Sequence, residues 1–235
     1  MFKLLFFFFS LSSFLINSSS VDAIAKFNTS YQIYYKVENS GNTHVSIVVN
    51  QKNNLSVVFA TDYGISLGQT KIDNVRVSDN GTLITPEISR GQNQTTISFP
   101  FANKVVGKDK VHKFSIEYDT ADIANKSGNT WQINIPRLET DENVAEQTAI
   151  MTLPENFLKP AYVDPKPDLI NGNTYYFSSK VLANKPISAI FGKNQYYKAN
   201  LKYNLQNQSS KKIQTEIAIP PQTAYQDIYI ENINP

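Results

Sequence analysis

Residues 111–138 have the sequence VHKFSIEYDTADIANKSGNTWQINIPRL, in which a polar segment separates two alternating ones. Apolar side chains occupy every second position on both sides of it: Phe114, Ile116 and Tyr118 before it, and Trp131, Ile133 and Ile135 after it. A period of two predicts strands with one buried and one exposed face. The polar segment 119–130 carries Asp, Asn, Ser and Gly, which turn a chain readily. The stretch therefore predicts two strands of a β-sandwich joined by a corner.

The same alternation recurs on both sides of this stretch. It is present in residues 31–37, 45–49, 71–78, 82–89 and 97–101, and 148–153 has the character of a closing strand. Short strands at intervals of roughly 8 to 12 residues are typical of a sandwich. The Asn80-Gly81 step predicts a tight hairpin turn, because both residues tolerate positive φ.

Four prolines at positions 154, 160, 165 and 167 predict an extended linker that cannot continue a strand ladder. Beyond it, the sequence predicts strands at 174–178, 188–191, 197–205, 213–219 and 227–233. We therefore predict an all-β chain with two β-sandwich, immunoglobulin-like domains, 24–156 and 157–235. The second domain has few strands and is expected to be incomplete.

Charge and cysteine content exclude several classes of function. The chain has 235 residues, with 22 basic and 20 acidic residues, and no dense cluster of Lys or Arg. Nucleic acid is not an expected partner, because phosphate binding needs a concentrated basic face. The sequence has no cysteine, so disulfides, thiolate zinc sites and a cysteine nucleophile are excluded. A fold without disulfides favours a bacterial exported protein over a secreted animal module.

The N-terminus predicts a signal peptide over residues 1–23. Lys3 precedes the apolar run 4–15, and a Ser-rich stretch ends at Val21-Asp22-Ala23. The run is shorter than the roughly 20 residues that a spanning helix needs. The alternative is an uncleaved anchor. We expect a secreted or cell-surface protein with no other insertion into the membrane.

The inventory of catalytic residues is small. The only histidines are His44 and His112; His44 falls on the outer face of its strand, and His112 shares the inward register of Phe114 near a strand start that water still reaches. A nucleophile requires a base held beside it, and two separated histidines are more typical of surface positions. The sequence therefore predicts no catalytic, cofactor-binding or metal-binding residues.

Paired carboxylates offer a weaker enzymatic reading, because two at suitable separation can hydrolyse a glycoside. The pairs are Asp119 with Asp122, Asp141 with Glu142, and Asp164 with Asp168. All lie in predicted loops, where acidic residues commonly cap turns. The corner 119–129 also carries oxygen ligands suited to calcium, but without the spacing of an EF-hand.

Two further patterns concern the surface. In the mature chain, Asn-x-Ser/Thr sequons occur at Asn28, Asn54, Asn80, Asn93, Asn125 and Asn207; they would carry glycans in a eukaryotic secretory protein, but chance explains them in so Asn-rich a chain. Three tyrosine pairs, 34–35, 175–176 and 196–197, would each expose one ring on a strand. Such rings could bind sugar or a protein, or reflect strand preference alone.

Three blocks of sequence resemble one known family. The first comprises Asp122-Ile123-Ala124, Gly128, Trp131 and Ile133–Pro136, and the second comprises Phe191-Gly192, Gln195, Leu201, Tyr203, Leu205 and Asn207. The third runs from Ile217 to Gln226, with Gln222 where that family usually has Asp. Together they resemble the N-terminal region of secreted transglutaminase-like proteins of candidate-phyla bacteria.

The resemblance implies a β-sandwich accessory region ahead of a papain-like core with Cys, His and Asp. This chain has no cysteine, so no catalytic residue carries over. We therefore expect a non-catalytic accessory or spacer region of an exported protein, whose partner is a C-terminal catalytic domain, a surface protein or a glycan. The alternative is a surface adhesin or carbohydrate-binding module that uses exposed tyrosines; a glycosidase is a third reading.

Overall fold

The computed structural model describes residues 25–138, 144–157, 159–183, 185–192, 197–223 and 226–233. The predicted signal peptide, residues 1–23, lies outside the described residues. The regular elements, in chain order, are β1 (Phe27–Val37), β2 (Thr43–Asn53), β3 (Asp62–Leu67), β4 (Ile72–Asp79), β5 (Thr82–Ile84), β6 (Glu87–Arg90), β7 (Thr95–Pro100), β8 (Val111–Thr120), β9 (Ala124–Ser127), β10 (Thr130–Ile135), β11 (Val144–Thr152), β12 (Pro160–Asp164), β13 (Leu169–Asn171), β14 (Thr174–Phe177), the short helix α1 (Ser179–Leu182) and β15 (Ile187–Gly192).

The predicted all-β class is confirmed, and the strands form three sheets. The largest has eight strands in the order β13-β14-β11-β1-β2-β8-β4-β5. A four-stranded sheet has the order β12-β15-β10-β9, and a three-stranded sheet the order β3-β7-β6. Most neighbours are antiparallel, but β1 pairs in parallel with β11. Strand β1 is therefore an internal strand with partners on both sides.

The central strands show why these segments form strands. In β1, β2 and β8, buried and more exposed residues alternate along nearly the whole length. Ile33, Ile47 and Ile116 lie opposite one another across the three strands and are almost completely buried. This period-two pattern places one face of the large sheet against the core and leaves the other face to solvent.

The two smaller sheets cover the inner face of the large one. Phe114 of β8 contacts Tyr63 of β3 and Phe99 of β7, with ring centroids 4.7 and 5.8 Å apart. Tyr175 of β14 contacts Phe191 of β15 at 5.7 Å. The buried apolar residues of all three sheets form one hydrophobic cluster, so the layers are those of a sandwich.

The stretch 111–138 forms strands as predicted, but its two main strands belong to different sheets. Strand β8 lies in the eight-stranded sheet and β10 in the four-stranded one. The polar corner between them contains an additional short strand, β9, which forms a tight antiparallel hairpin with β10. The corner therefore carries the chain from one layer to the other.

The structure divides the chain at a different point from the predicted boundary after residue 156. Strand β14 pairs with β11, and β15 pairs with β10, so residues beyond 157 complete both layers of the sandwich. Strand β12, which contains Pro160, is an edge strand that pairs only with β15; proline is tolerated at the start of such a strand. The compact units divide after Gln195, into 1–195 and 196–235.

The predicted strands at 197–205, 213–219 and 227–233 are not formed in the structure. Residues 197–222 have neither helix nor strand, and the one bridge in the described part of this unit joins Thr223 and Gln226. The Tyr203 hydroxyl donates a hydrogen bond to the Ala218 carbonyl, so the two longer segments meet without a backbone ladder. Their alternating apolar residues, such as Leu201 and Ile217, are exposed. A two-stranded hairpin needs a further layer on its apolar face to be stable.

Candidate functional site

His44 belongs to a surface cluster on the outer face of the large sheet, as its register predicts. Its Nδ1–H donates to Asp119 Oδ1 at 2.8 Å, and the Asn74 amide donates to Asp119 Oδ2 at 2.7 Å. Hydrogen bonds from Asn74 and His44 lower the pKa of Asp119. Asn74 has φ +53° and lies at a bulge in β4, which brings its side chain to the carboxylate. The cluster orients an imidazole, but the other cross-strand neighbour of His44 is Lys36, not a hydroxyl or thiol.

His112 is buried, which corrects the prediction that water reaches its ring. The side chains of His112 and Asp79 are 3% and 0% exposed, and His112 Nε2–H donates to Asp79 Oδ1 at 2.6 Å. The cause is the segment after β7: Phe101 packs 4.1 Å from the imidazole, and the Asn103 backbone N–H donates to Asp79 Oδ2 at 2.8 Å. Burial raises the pKa of Asp79, but the bonds from His112 and Asn103 outweigh it, and the pKa lies below its ordinary value.

The buried pair belongs to a row of polar residues on the inner face of the large sheet. Thr29 of β1 lies opposite Gln51 of β2, and Gln51 lies opposite His112 of β8. Thr29 is 5% exposed and Gln51 7%. Among the described residues, Gln51 Oε1 is the buried side-chain atom without a hydrogen-bond partner. Polar groups in a core normally have partners, so this row is unusual chemistry for the inside of a sandwich.

Asp119, Asp122 and Asp168, three of the carboxylates in the predicted pairs, each bind other partners. Asp122 Oδ2 accepts from the backbone N–H groups of Thr70 and Lys71, at 3.0 and 2.9 Å, whereas Asp119 binds His44 and Asn74. Asp168 Oδ2 accepts from the Ser178 N–H at 2.6 Å, and that bond lowers the pKa of Asp168. Asp141 and Glu142 lie outside the described residues. In the described ranges, no three His, Asp or Glu side chains come together as metal ligands would.

Two tyrosines and two aliphatic residues form a row on the outer face of the large sheet. Tyr34 of β1 lies opposite Ile150 of β11, Ile150 lies opposite Tyr176 of β14, and Tyr176 lies opposite Leu169 of β13. Tyr34 is 38% exposed and Leu169 57%, and Tyr176 and Ile150 are half-buried. Two strand spacings separate the tyrosine backbones, which is roughly 9–10 Å. We call these four residues the tyrosine row; the sequence predicted exposed rings, but strand order alone brings Tyr34 and Tyr176 together.

The remaining sequence-predicted surface residues are scattered. Five of the six sequon asparagines are exposed: Asn28, Asn80, Asn93, Asn125 and Asn207. Asn54 is half-buried, and its side-chain amide donates to the Ala25 carbonyl at 2.8 Å. Tyr197 is 77% exposed in the unit 196–235, and Tyr196 lies outside the described residues.

A small cavity lies between the layers beside two buried tyrosines. It encloses about 10 Å³ and is lined by Tyr35, Tyr118 and Gln69 among others. The Tyr118 hydroxyl donates to Gln69 Oε1 at 3.4 Å, and burial raises the pKa of both Tyr35 and Tyr118. A cavity of this size has room for a single water molecule, which is far less than an organic cofactor requires.

The residues that carry the family resemblance have structural roles at the β10–β15 pairing. Trp131 lies opposite Phe191, and Thr130 lies opposite Gly192. The indole of Trp131 stacks on Phe157, with centroids 4.7 Å apart. Gly192 has φ +135°, and a Cβ there would lie 2.5 Å from the Asn129 carbonyl oxygen, so only glycine fits. Phe191 and Gly192 of the second block therefore lie beside the first block in one sheet.

Comparisons with known proteins assign no family. No family model matches the chain, and no curated protein matches it. Among the described residues, no helix has the length and apolar character needed to cross a bilayer.

The solved structures that match the chain are distant from it in sequence. A protein from Legionella pneumophila named for nutrient binding has 10% identity and a TM-score of 0.47, over 71% of this chain and 67% of its own. Yeast LTA4 hydrolase has 14% identity and a TM-score of 0.43, over 71% of this chain and 29% of its own. An M1 zinc metallopeptidase from Deinococcus radiodurans has 10% identity and a TM-score of 0.43, over 71% of this chain and 42% of its own. The chain spans less than half the length of the two enzymes, and likeness at this level transfers no activity.

Proposed function

We propose that this chain is a non-catalytic accessory region of an exported cell-surface protein, and that it precedes a transglutaminase-like catalytic domain. In this role the sandwich holds or presents the catalytic domain instead of reacting with substrate. The carboxylates that a hydrolase would need bind backbone N–H groups and neighbouring side chains instead, as at Asp122 and Asp168.

The pairing of the first two resemblance blocks is the observation that carries the proposal. Trp131 and Phe191 are separated by a long stretch of sequence but lie opposite each other in the four-stranded sheet. Strand β15 is the last strand before residue 193 and leads towards the unit 196–235. The paired members of the two blocks therefore include the last described strand before the unit 196–235, which supports a region that presents another domain.

Reading the genomic DNA beyond codon 235 tests this function directly. We expect the frame to continue into a segment containing the Cys, His and Asp of a transglutaminase-like core. A stop codon directly after Pro235, or a continuation without those residues, would contradict the proposal.

Export is tested separately. Residues 1–30 fused to a phosphatase that is active only outside the cytoplasm should give phosphatase activity in a bacterial host. The same fusion with the apolar run 4–15 deleted is the control and should be inactive, because that run carries the predicted signal. Equal activity from both fusions would remove the argument for a cell-surface location.

The tyrosine row favours a second candidate function, the binding of a carbohydrate. Two rings about two strand spacings apart on one sheet face would each stack on a sugar of an extended, β-linked polysaccharide. Polar side chains flank the row, with Thr148 and Gln32 on one side and Thr152 and Lys36 on the other. Tyrosine suits such a surface, because it combines an apolar ring with a polar hydroxyl.

A glycan array with fragment 24–235, followed by titration with cellohexaose and chitohexaose, tests this second function. Tyr34→Ala and Tyr176→Ala should each reduce binding at least about tenfold, which corresponds to about 1.4 kcal/mol. Tyr229→Ala is a matched control, because Tyr229 is 80% exposed and lies outside the row. No binding, or equal loss in the control, would argue against a carbohydrate site.

A further inference from the structure

The polar row on the inner face of the large sheet has an order that suggests a reaction between its members. Thr29 carries a hydroxyl, Gln51 carries a carboxamide directly opposite on the next strand, and His112 faces the other side of Gln51. His112 is held in turn by Asp79. Nucleophile, acyl group and imidazole–carboxylate pair therefore lie in sequence across four strands of one sheet, and all four side chains are at least nine-tenths buried.

Gln51 is the residue that ordinary packing leaves unexplained. Its Oε1 atom is buried and has no hydrogen-bond partner, which is costly for a strong acceptor. An ester oxygen accepts hydrogen bonds more weakly than an amide oxygen, so an ester at this position would be buried at lower cost. The unpaired atom therefore points to a chemical change at the carboxamide.

We propose that Thr29 and Gln51 condense to form an intramolecular ester that links β1 to β2. The Thr29 Oγ1 attacks Gln51 Cδ, the new C–O bond forms, and the Cδ–Nε2 bond breaks. The amide nitrogen leaves as ammonia, and it carries away the proton of the threonine hydroxyl. No oxidant, reductant or metal is required.

The sheet geometry brings the two groups within reach. Residues directly opposite on antiparallel strands have Cβ atoms about 4.5–5.5 Å apart, and both side chains project to the same buried face. The threonine hydroxyl and the flexible glutamine side chain can span that separation. Because bulk water is excluded from the site, an ester once formed is protected from hydrolysis.

His112 is the residue that moves the proton, and Asp79 is a positioning residue. The imidazole lies on the side of Gln51 opposite to Thr29; in its protonated form it donates the Nδ1 proton to the departing nitrogen, and the proton that the Thr29 hydroxyl loses then restores the imidazolium, so that the net transfer is from the hydroxyl to ammonia. Asp79 fixes the ring by accepting the 2.6 Å hydrogen bond from Nε2–H, so Nδ1 is the ring nitrogen that remains for proton transfer. The other charged pair at this end of the sheet, Lys52 with Asp109, is substantially exposed, so His112 and Asp79 are the ionisable groups of the buried row.

The ester would serve as a covalent cross-link in a chain that has no disulfide. It would join the hairpin β1–β2 close to its open end, where Phe27 lies opposite Asn53. A cross-link stabilises a fold by restricting the unfolded chain. This role is independent of whether the protein is an accessory region or a carbohydrate-binding module.

Tryptic peptide mapping of the full-length protein tests the proposal. Cleavage after Lys26, Lys36 and Lys52 separates peptide 27–36, with Thr29, from peptide 37–52, with Gln51. We expect one joined peptide whose mass is the sum of the two less one ammonia, and which separates on mild treatment with hydroxylamine. Two free, unmodified peptides would overturn the proposal.

Matched variants make the test specific. Thr29→Ser keeps a hydroxyl and should retain the joined peptide, whereas the similarly sized Thr29→Val should lose it completely while circular dichroism stays unchanged. The Asn80-Gly81 step can also lose ammonia, through a cyclic imide, but it lies in a different tryptic peptide and cannot join 27–36 to 37–52. A joined peptide in Thr29→Val would overturn the assignment.

The role of the buried pair is tested by kinetics. After refolding, the joined peptide of Asp79→Asn should accumulate at least tenfold more slowly than that of the wild type, and the dependence of its rate on pH should change, because the imidazole of His112 loses its charged partner. A merely structural role for Asp79 would leave the pH profile unchanged. An unchanged rate and profile would remove Asp79 from its positioning role.

Discussion

The two histidines lie on neighbouring strands, and the register of each determines its environment. His44 and His112 occupy positions of opposite parity on β2 and β8, so one faces solvent and the other the core. Both pair with an aspartate, at 2.8 and 2.6 Å. The sequence predicted which way each side chain points. It did not predict the full burial of His112, because that depends on the distant segment 101–103.

Replacing Asp79 by Asn should destabilise the fold by about 3 kcal/mol, because it leaves a buried imidazole without its charged partner. Urea denaturation followed by tryptophan fluorescence measures the change. Asp109→Asn is the matched control: Asp109 also pairs with a basic side chain, Lys52, but that pair is exposed. We expect no measurable shift of the urea midpoint in the control. Equal effects of the two substitutions would mean that burial does not distinguish these pairs.

Stability should fall on acidification. The folded-state pKa values of Asp79, Asp119 and Asp168 lie below the ordinary value, so the unfolded chain binds protons more readily. The stability they contribute is fully present above the unfolded pKa of about 4 and is lost as the pH falls through the lower folded values. Urea midpoints measured between about pH 6 and about pH 2 check this prediction. A midpoint independent of pH in that window would contradict it.

At the scale of elements, the pairing of β10 with β15 depends on a glycine. Ala at position 192 would require φ +135° and would place its Cβ 2.5 Å from the Asn129 carbonyl oxygen. We expect Gly192→Ala to lower the free energy of unfolding by at least about 2 kcal/mol. Thermal melts of the variant and the wild type check this, since the midpoint should fall.

Gly64→Ala in β3 is the control for this prediction. A Cβ at Gly64 would have no atom within 4 Å, so the change should be neutral or slightly stabilising, within about 1 kcal/mol. Similar losses for both glycines would show that strand residues tolerate alanine poorly for some reason other than steric overlap.

Alternation predicted strands reliably where a second layer exists to cover the apolar row. In β1, β2 and β8 the predicted inward residues are buried. The Asn80-Gly81 turn is also confirmed, with φ +48° and +89° and with Asp79 opposite Thr82. The alternation of 197–205 is just as regular, yet no strand forms there. Periodicity describes one surface of a segment, and it does not state what lies against that surface.

At the scale of the whole molecule, the sandwich is completed by strands from beyond residue 157. We therefore expect the fragment 25–195 to fold cooperatively, with a thermal midpoint within a few degrees of that of 25–235. The fragment 25–156 lacks β14 and β15, which pair with β11 and β10, and should be unfolded or aggregated. Far-UV circular dichroism and thermal melts of the three fragments check this. A stable 25–156 fragment would support the predicted domain boundary after residue 156.

Long-range pairing explains what the sequence could not supply about the candidate sites. The buried row joins Thr29, Gln51, His112 and Asp79. The tyrosine row joins Tyr34, Ile150, Tyr176 and Leu169. Each residue's inward or outward register follows from local alternation. Their neighbourhood follows from strand order, including the parallel pairing of β1 with β11, and a single sequence contains no local signal for that order.

The position of β1 also has a mechanical consequence. As an internal strand it is hydrogen-bonded to β2 on one side and to β11 on the other. A pulling force applied along β1 from its Phe27 end would load both ladders in shear, so that many bonds must yield together. An edge strand such as β13 would instead peel away one bond at a time. The sandwich therefore resists tension applied at the Phe27 end of β1.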